Sequence, residues 1–386
     1  MSLLNGAPVW QALLFSAVAY LVPLTLGWWL FFTRTAAPAG QAAPLQPARM
    51  APRRATLVAI LLGAAGLSGL IGGLWDASKH VQTGIIPAGA DFLWAPHIMI
   101  YGTFLIEFLI GVATLGGLAR AGLRAGLRDP RLWVRQNPYL GAVGLAALYA
   151  LLSVPGDAIW HEIFGIDLTA WSPPHVMLCL TSNAVTLAAL GLLLQFRTGA
   201  RRPRWLNAAA AAFLALTLNS LALVGVLEWE LPGGLGLEFI RRPVWLYPVV
   251  FGCLAFFVLG VARQVIGRGG ATTVALLTYG LRWAVTVGLG LTGNVVPAML
   301  PVMLLGAALL DLVPWERIQR MPLRAAGMTA AFTAGYLGLA LPMLMQRTGL
   351  GPFTGAGLAL AMLVVPVTCA ALLPLVRLVG NALLPR

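Results

Sequence analysis

Long apolar runs follow one another from about Pro8 to about Leu378, each ended by Arg, Lys, Pro or Gly. A run of roughly 20 residues is what one α-helix needs to cross about 30 Å of hydrocarbon. No stretch alternates apolar and polar residues as the strands of a membrane barrel do. The breaks predict helices near 8–32, 55–80, 93–119, 139–162, 173–196, 206–230, 246–266, 271–293, 295–313, 328–346 and 353–378. The fold class expected is an all-α, polytopic integral membrane bundle of about 11 transmembrane helices.

Composition sharpens this picture. With 59% hydrophobic and 10% charged residues and a mean hydropathy of +0.86, the chain has too little polar surface to coat a water-soluble globule, and its partner is the lipid bilayer. The net charge of +13 sits in short loops between apolar spans, so it reports topology and does not point to nucleic acid. Placing the N-terminus outside puts 20 of the 25 Lys and Arg on the inner side, leaving Lys79, Arg241, Arg242 and Arg347 outside and Arg282 within the membrane. The expected localisation is the cell inner membrane, with the C-terminus in the cytoplasm.

Residues 33–54, rich in Ala, Pro and Gln, read as a flexible inner linker within one transmembrane domain spanning 1–386. The first span has no basic segment before it and reads as a retained helix. Cys179, Cys253 and Cys369 fall inside spans without a CxxC pair and read as small buried hydrophobes. Residues 206–378 read as a plain helical scaffold, and the odd helix count points to additional membrane subunits as partners.

The chemistry lies in a tandem two-helix repeat. Trp75-Asp76-Ala77-Ser78-Lys79-His80 and Gly156-Asp157-Ala158-Ile159-Trp160-His161 share Asp-Ala-x-x-His. Each is followed by a second shared segment, Trp94-Ala95-Pro96-His97-Ile98-Met99 in one case and Trp171-Ser172-Pro173-Pro174-His175-Val176-Met177 in the other. The unit thus occurs twice, as hairpin 1 (55–119) and hairpin 2 (139–196), and holds all 4 histidines of the chain. Aspartate and histidine four apart share one helical face and can grip one ion. The prolines suit a first helical turn, which sets the next histidine at a helix N-terminus beside the loop. Each hairpin offers two imidazoles and one carboxylate, a set used by facial-triad iron and by copper and zinc sites. Two hairpins side by side would make a four-helix cage holding two ions, separate or bridged.

Single pairs of this kind also occur as helix caps or interfacial polar groups. Repetition at matching positions favours a metal site formed by Asp76, His80, His97, Asp157, His161 and His175, since ionisable groups at membrane depth are usually functional. The Asp157-x3-His161-x13-His175 segment resembles the Asp-x3-His-x12-His ligand set in the C subunit of the copper membrane monooxygenases for methane and ammonia. That resemblance covers about a tenth of the chain, differs by one residue in spacing and is duplicated here. It implies a copper site in a helical bundle and oxidation of a small apolar substrate.

Glu107 lies about 15 Å further along the helix that His97 opens. It is either hydrogen-bonded in protonated form or carries protons to or from the site, and is the candidate catalytic residue. Asn183 reads as an interhelical hydrogen-bond residue, Glu162 as an outer partner or solvated end, and Asp311 as interfacial. Glu228 and Glu230 read as an acidic outer loop flanked by Arg241 and Arg242, while Arg282 needs an intramembrane acid or a snorkelling path. The tryptophans near helix ends suit interfacial belts.

The leading expectation is a membrane metalloprotein near the outer face, binding copper or iron, with zinc also compatible, and acting as an oxidoreductase or monooxygenase. A copper or zinc transport or insertion protein is the first alternative. Haem ligation by histidine pairs is the second, but it leaves Asp76 and Asp157 without a role. No inverted repeat or pair of broken helices of the transporter kind is visible.

Overall fold

A computed structural model describes residues 9–33, 50–83, 94–164, 170–196, 203–230, 243–314, 321–346 and 354–384. Among them every regular element is a helix: α1 (Val9–Phe32), α2 (Pro52–Thr83), α3 (Ala95–Arg124), α4 (Pro130–Gln136), α5 (Pro138–Phe164), α6 (Pro173–Leu194), α7 (Arg204–Glu230), α8 (Leu246–Val265), α9 (Gly270–Leu291), α10 (Leu304–Leu312), α11 (Met321–Gln346) and α12 (Gly355–Leu383). Ten helices among the described residues are long and apolar enough to cross a membrane. The chain is a multi-pass helical membrane protein, as its hydropathy requires. Most of the expected linker, 34–49, lies outside the described residues.

The main departure falls on the helix expected over 295–313. Residues 294–301 take no regular conformation, and only Leu304–Leu312 is helical. Pro297 and Pro301 are the cause, because each removes a backbone donor and clashes with the preceding turn. Unwound backbone in an apolar setting must find other partners. Pro297 O accepts from Arg282 Nε at 3.3 Å, and Leu300 O accepts from the Tyr279 hydroxyl at 2.9 Å. Met303 N donates back to that hydroxyl at 3.1 Å. At the far end of α10, Asp311 is buried and accepts from Thr272 N at 2.7 Å, capping the start of α9 with Arg263 3.6 Å away.

A second departure is α4, in a segment expected to be loop. Asp129 accepts from Arg131 N at 2.9 Å and Pro130 occupies the first turn, which together start a helix. Hydrogen bonding to the Arg131 side chain holds the Asp129 carboxyl below its ordinary range. Arg131 also lies 5.4 Å over the Trp29 ring and Arg135 donates to Thr33 O, so α4 fastens the end of α1.

The chain divides into two compact units, one of Met1–Gly69 with Ile98–Phe196 and one of Leu70–His97 with Arg197–Arg386. In the first, α5 and α6 lie side by side, and Thr103 Oγ1 of α3 donates to Ala65 O of α2 at 2.9 Å. In the second, α8 packs on α12 and α7 on α8 and α9. The latter half of α2 meets α7 at Gly73, where an added Cβ would stand 2.6 Å from Leu223 Cδ2. Small residues of this kind bring membrane helices close.

Candidate metal centre

In the second unit the last turns of α2 carry Asp76 and His80, and the third residue of α3 is His97. The spacing of four stacks the first two on one face, and His80 Nε2 lies 3.5 Å from Asp76 Oδ2. His97 Nε2 approaches the other oxygen, Oδ1, at 3.1 Å. One carboxylate therefore stands between imidazoles from two helices. Asp76 Oδ1 is buried without an aligned hydrogen bond, so the close approach of His97 is not a well-directed one. Trp94, just before α3, lies near parallel to both rings, with centroids 5.9 Å from His80 and 6.2 Å from His97. This tryptophan thus lies beside both imidazoles. Ser78 is buried and donates to Gln82 Oε1 at 3.3 Å. Gln82 Nε2 in turn donates to Gly293 O at 2.8 Å, tying the end of α2 to the turn that opens the unwound segment.

In the first unit Asp157 lies two residues beyond Pro155, near the end of α5, and His175 is the third residue of α6. The histidine thus holds the same register in both hairpins. His175 Nε2 is 3.5 Å from Asp157 Oδ1, with side-chain exposures of 31% and 5%. Pro173 and Pro174 open α6, and Tyr20 of α1 donates to Pro173 O at 3.1 Å. Trp160 is buried between Phe15, at 5.4 Å, and Phe164, at 4.4 Å. His161 is helical within α5, and its side chain lies outside the described residues. Glu162 is exposed, which suits a solvated helix end.

Glu107 is fully buried on α3. It accepts from Ser182 Oγ of α6 at 2.8 Å, while Oε2 is buried without a hydrogen bond. Neighbouring Asn183 donates to Cys179 O of its own helix at 2.7 Å, and Ser182 makes a polar link between α3 and α6.

The acidic-loop reading of Glu230 is corrected. Glu230 is fully buried and pairs with the equally buried Arg282 at 3.3 Å, because two lone charges in apolar helices are far less costly together than apart. Arg241 and Arg242 lie outside the described residues. This partner of Arg282 was not readable from spacing, since the two residues are far apart in the chain.

Among the described residues, no group of three or more His, Cys, Asp and Glu side chains stands ready to hold a metal ion. No family model, curated protein or solved structure matches the chain.

Proposed function

We propose that the protein is an integral membrane metalloprotein binding copper or iron through Asp76, His80 and His97 in hairpin 1 and Asp157, His161 and His175 in hairpin 2. We assign it as an oxidoreductase for a small or lipid-soluble substrate. The observation that carries this reading is the Asp76 carboxylate held between two imidazole nitrogens at 3.1 and 3.5 Å. Ligands about 2.1 Å from a tetrahedral ion stand about 3.4 Å apart, and these separations are compatible with that spacing. The buried, unaligned Asp76 Oδ1 is an atom that a cation would satisfy.

Two imidazoles and a carboxylate with open positions form the donor set of non-haem oxygen activation, and a bound ion would supply that chemistry here. Trp94 lies along the two rings. Glu107, ten residues along α3 from His97, is assigned as the group that takes up and releases protons, with Ser182 orienting its carboxyl. The asymmetry of Lys and Arg supports an outside N-terminus and an outward-facing site. The resemblance of the hairpin 2 segment to a copper ligand set supports copper over iron.

A metal carrier is the second reading, favoured by the Gln82 link between the end of α2 and the unwound segment, since broken helices line pathways in transporters. Elemental analysis with an optical spectrum of the purified protein tests both. Copper or iron at about one equivalent or more, without a haem band, supports the reading. A Soret band would replace it with a cytochrome, and oxygen-dependent turnover of the loaded protein separates oxidoreductase from carrier.

A further inference from the structure

The second unit holds another buried polar cluster that the metal reading does not use. Arg282 lies about 18 Å into α9 at 1.5 Å per residue, and is 1% exposed. Nη2 meets Glu230 Oε2 at 3.3 Å, Nε donates to Pro297 O in the unwound segment, and Nη1 is buried with no hydrogen-bond partner. Glu230 Oε1 accepts from the Tyr247 hydroxyl at 3.1 Å. One turn before Arg282, Tyr279 holds Leu300 O and Met303 N, and α10 starts at the next residue, Leu304. The first N–H groups of that helix have no intrahelical acceptor, and they carry the positive end of its dipole. Tyr336, whose ring meets Phe251 beside Tyr247, also has a buried hydroxyl without a hydrogen-bond partner.

Arg282 Nη1 and the Tyr336 hydroxyl are donors that lack an acceptor, while Asn294 Oδ1 at the start of the break is an acceptor that lacks a donor. An anion is the ligand that a guanidinium and a helix N-terminus select. The Arg282–Glu230 pair is neutral, so a monovalent anion added to it would leave one unbalanced buried charge, which is costly. Adding a proton to Glu230 at the same time keeps the cluster neutral. We propose that Arg282 and the start of α10 bind a small monovalent anion in place of the Glu230 carboxylate, which takes up one proton from solvent. In balance, Glu230–COO⁻, H⁺ and the anion give Glu230–COOH and an Arg282–anion pair. The unwound segment 294–301 is then the wall of the site, as unwound backbone is in transporters.

The titratable groups set against Glu230 are Tyr247 of α8, Arg282 and Tyr279 of α9 and Tyr336 of α11, with Glu228 on its own helix. On α2, which meets α7 at Gly73 and Leu223, the titratable groups of the last turns are Asp76, Lys79 and His80. The test must therefore isolate Glu230. Chloride and formate are titrated into chelator-treated protein in lightly buffered detergent near neutral pH, reading the thermal midpoint and the proton uptake.

The expected result is a raised midpoint with at least one of the two anions, about one proton taken up per anion bound, and binding that weakens about tenfold per pH unit. Response to formate alone assigns a carboxylate site, and response to chloride an inorganic one. Glu230→Gln is expected to bind the same anion without proton uptake or pH dependence, and Arg282→Gln to lose binding. No midpoint shift with either anion, or binding by the wild-type protein without proton uptake, overturns the proposal. Should Arg282→Gln not fold, the wild-type proton count decides alone.

Discussion

The two hairpins repeat a ligand pattern in surroundings that have diverged. In hairpin 1 the residues between Asp76 and His80 include the buried Ser78, which feeds a hydrogen-bond chain through Gln82 to Gly293. In hairpin 2 the matching stretch contains Trp160, packed between Phe15 and Phe164. Asp76 keeps 18% of its side chain exposed and is bracketed by His80 and His97, whereas Asp157 keeps 5% and its partner His175 keeps 31%. Burial in apolar surroundings raises the cost of a charged carboxylate, and a polar, partly open setting lowers it. The comparison teaches that duplicated ligands need not make equivalent sites. Under the proposed reading, hairpin 1, with its more exposed carboxylate, is the one that would exchange a cation with solvent.

The strongest way to break that comparison is to neutralise one carboxylate at a time. Asp76→Asn is expected to weaken metal binding at hairpin 1 by on the order of 100-fold, since the loss of a ligand exceeds the 10–100-fold typical of outer partners. Asp157→Asn is expected to leave hairpin 1 affinity unchanged. Equilibrium dialysis against a metal buffer checks both, and equal effects on one shared affinity would erase the distinction.

Trp94→Leu is a milder probe. It removes the ring that lies along both His80 and His97 and is expected to cost about 0.5–1.5 kcal/mol of binding, or roughly 2- to 12-fold, with the number of ions unchanged. Smaller again is Gln82→Ala, which cuts the link to Gly293. A net hydrogen bond of about 0.5–1.5 kcal/mol predicts a thermal midpoint lower by about 1–2 °C. The informative readout is metal-dependent protection of residues 294–303 in hydrogen exchange, present in wild type and reduced in the variant.

The least effect is expected at α4, which lies at the opposite end of α5 from Asp157. The Arg131 side chain holds the Asp129 carboxyl low, so its contribution to stability is present above the ordinary carboxylate value of about 4 and fades as pH falls below it. Asp129→Ala should flatten that part of the acid stability curve while leaving metal content untouched. A change in metal content would mean that α4 reaches further into the structure than its contacts with α1.

Most of the helix order was legible because charge and proline interrupt the apolar runs at the right places. The exception at 294–303 shows what hydropathy alone misses: the run Val295–Leu304 is apolar throughout, and only Pro297 and Pro301 announce that it cannot be helical. The start of α4 was similarly written in Asp129-Pro130, a cap followed by a first-turn proline. Within the site, Asp76, His80 and His97 were readable because two of them lie four apart and the third opens the next helix. The Arg282–Glu230 pair was not, because ion pairing across 52 residues depends on how helices pack and leaves no local pattern. Trp94 was visible, but its place beside both imidazoles was not.

The most direct measurement is metal content per chain by element-specific mass spectrometry, on wild type, on His80→Ala/His97→Ala and on His161→Ala/His175→Ala, all loaded identically and confirmed folded. Copper or iron bound by wild type, lost from hairpin 1 in the first variant and retained there in the second, is expected. Equal metal content in all three proteins, or none in any of them, would contradict a metal site built from the duplicated motif.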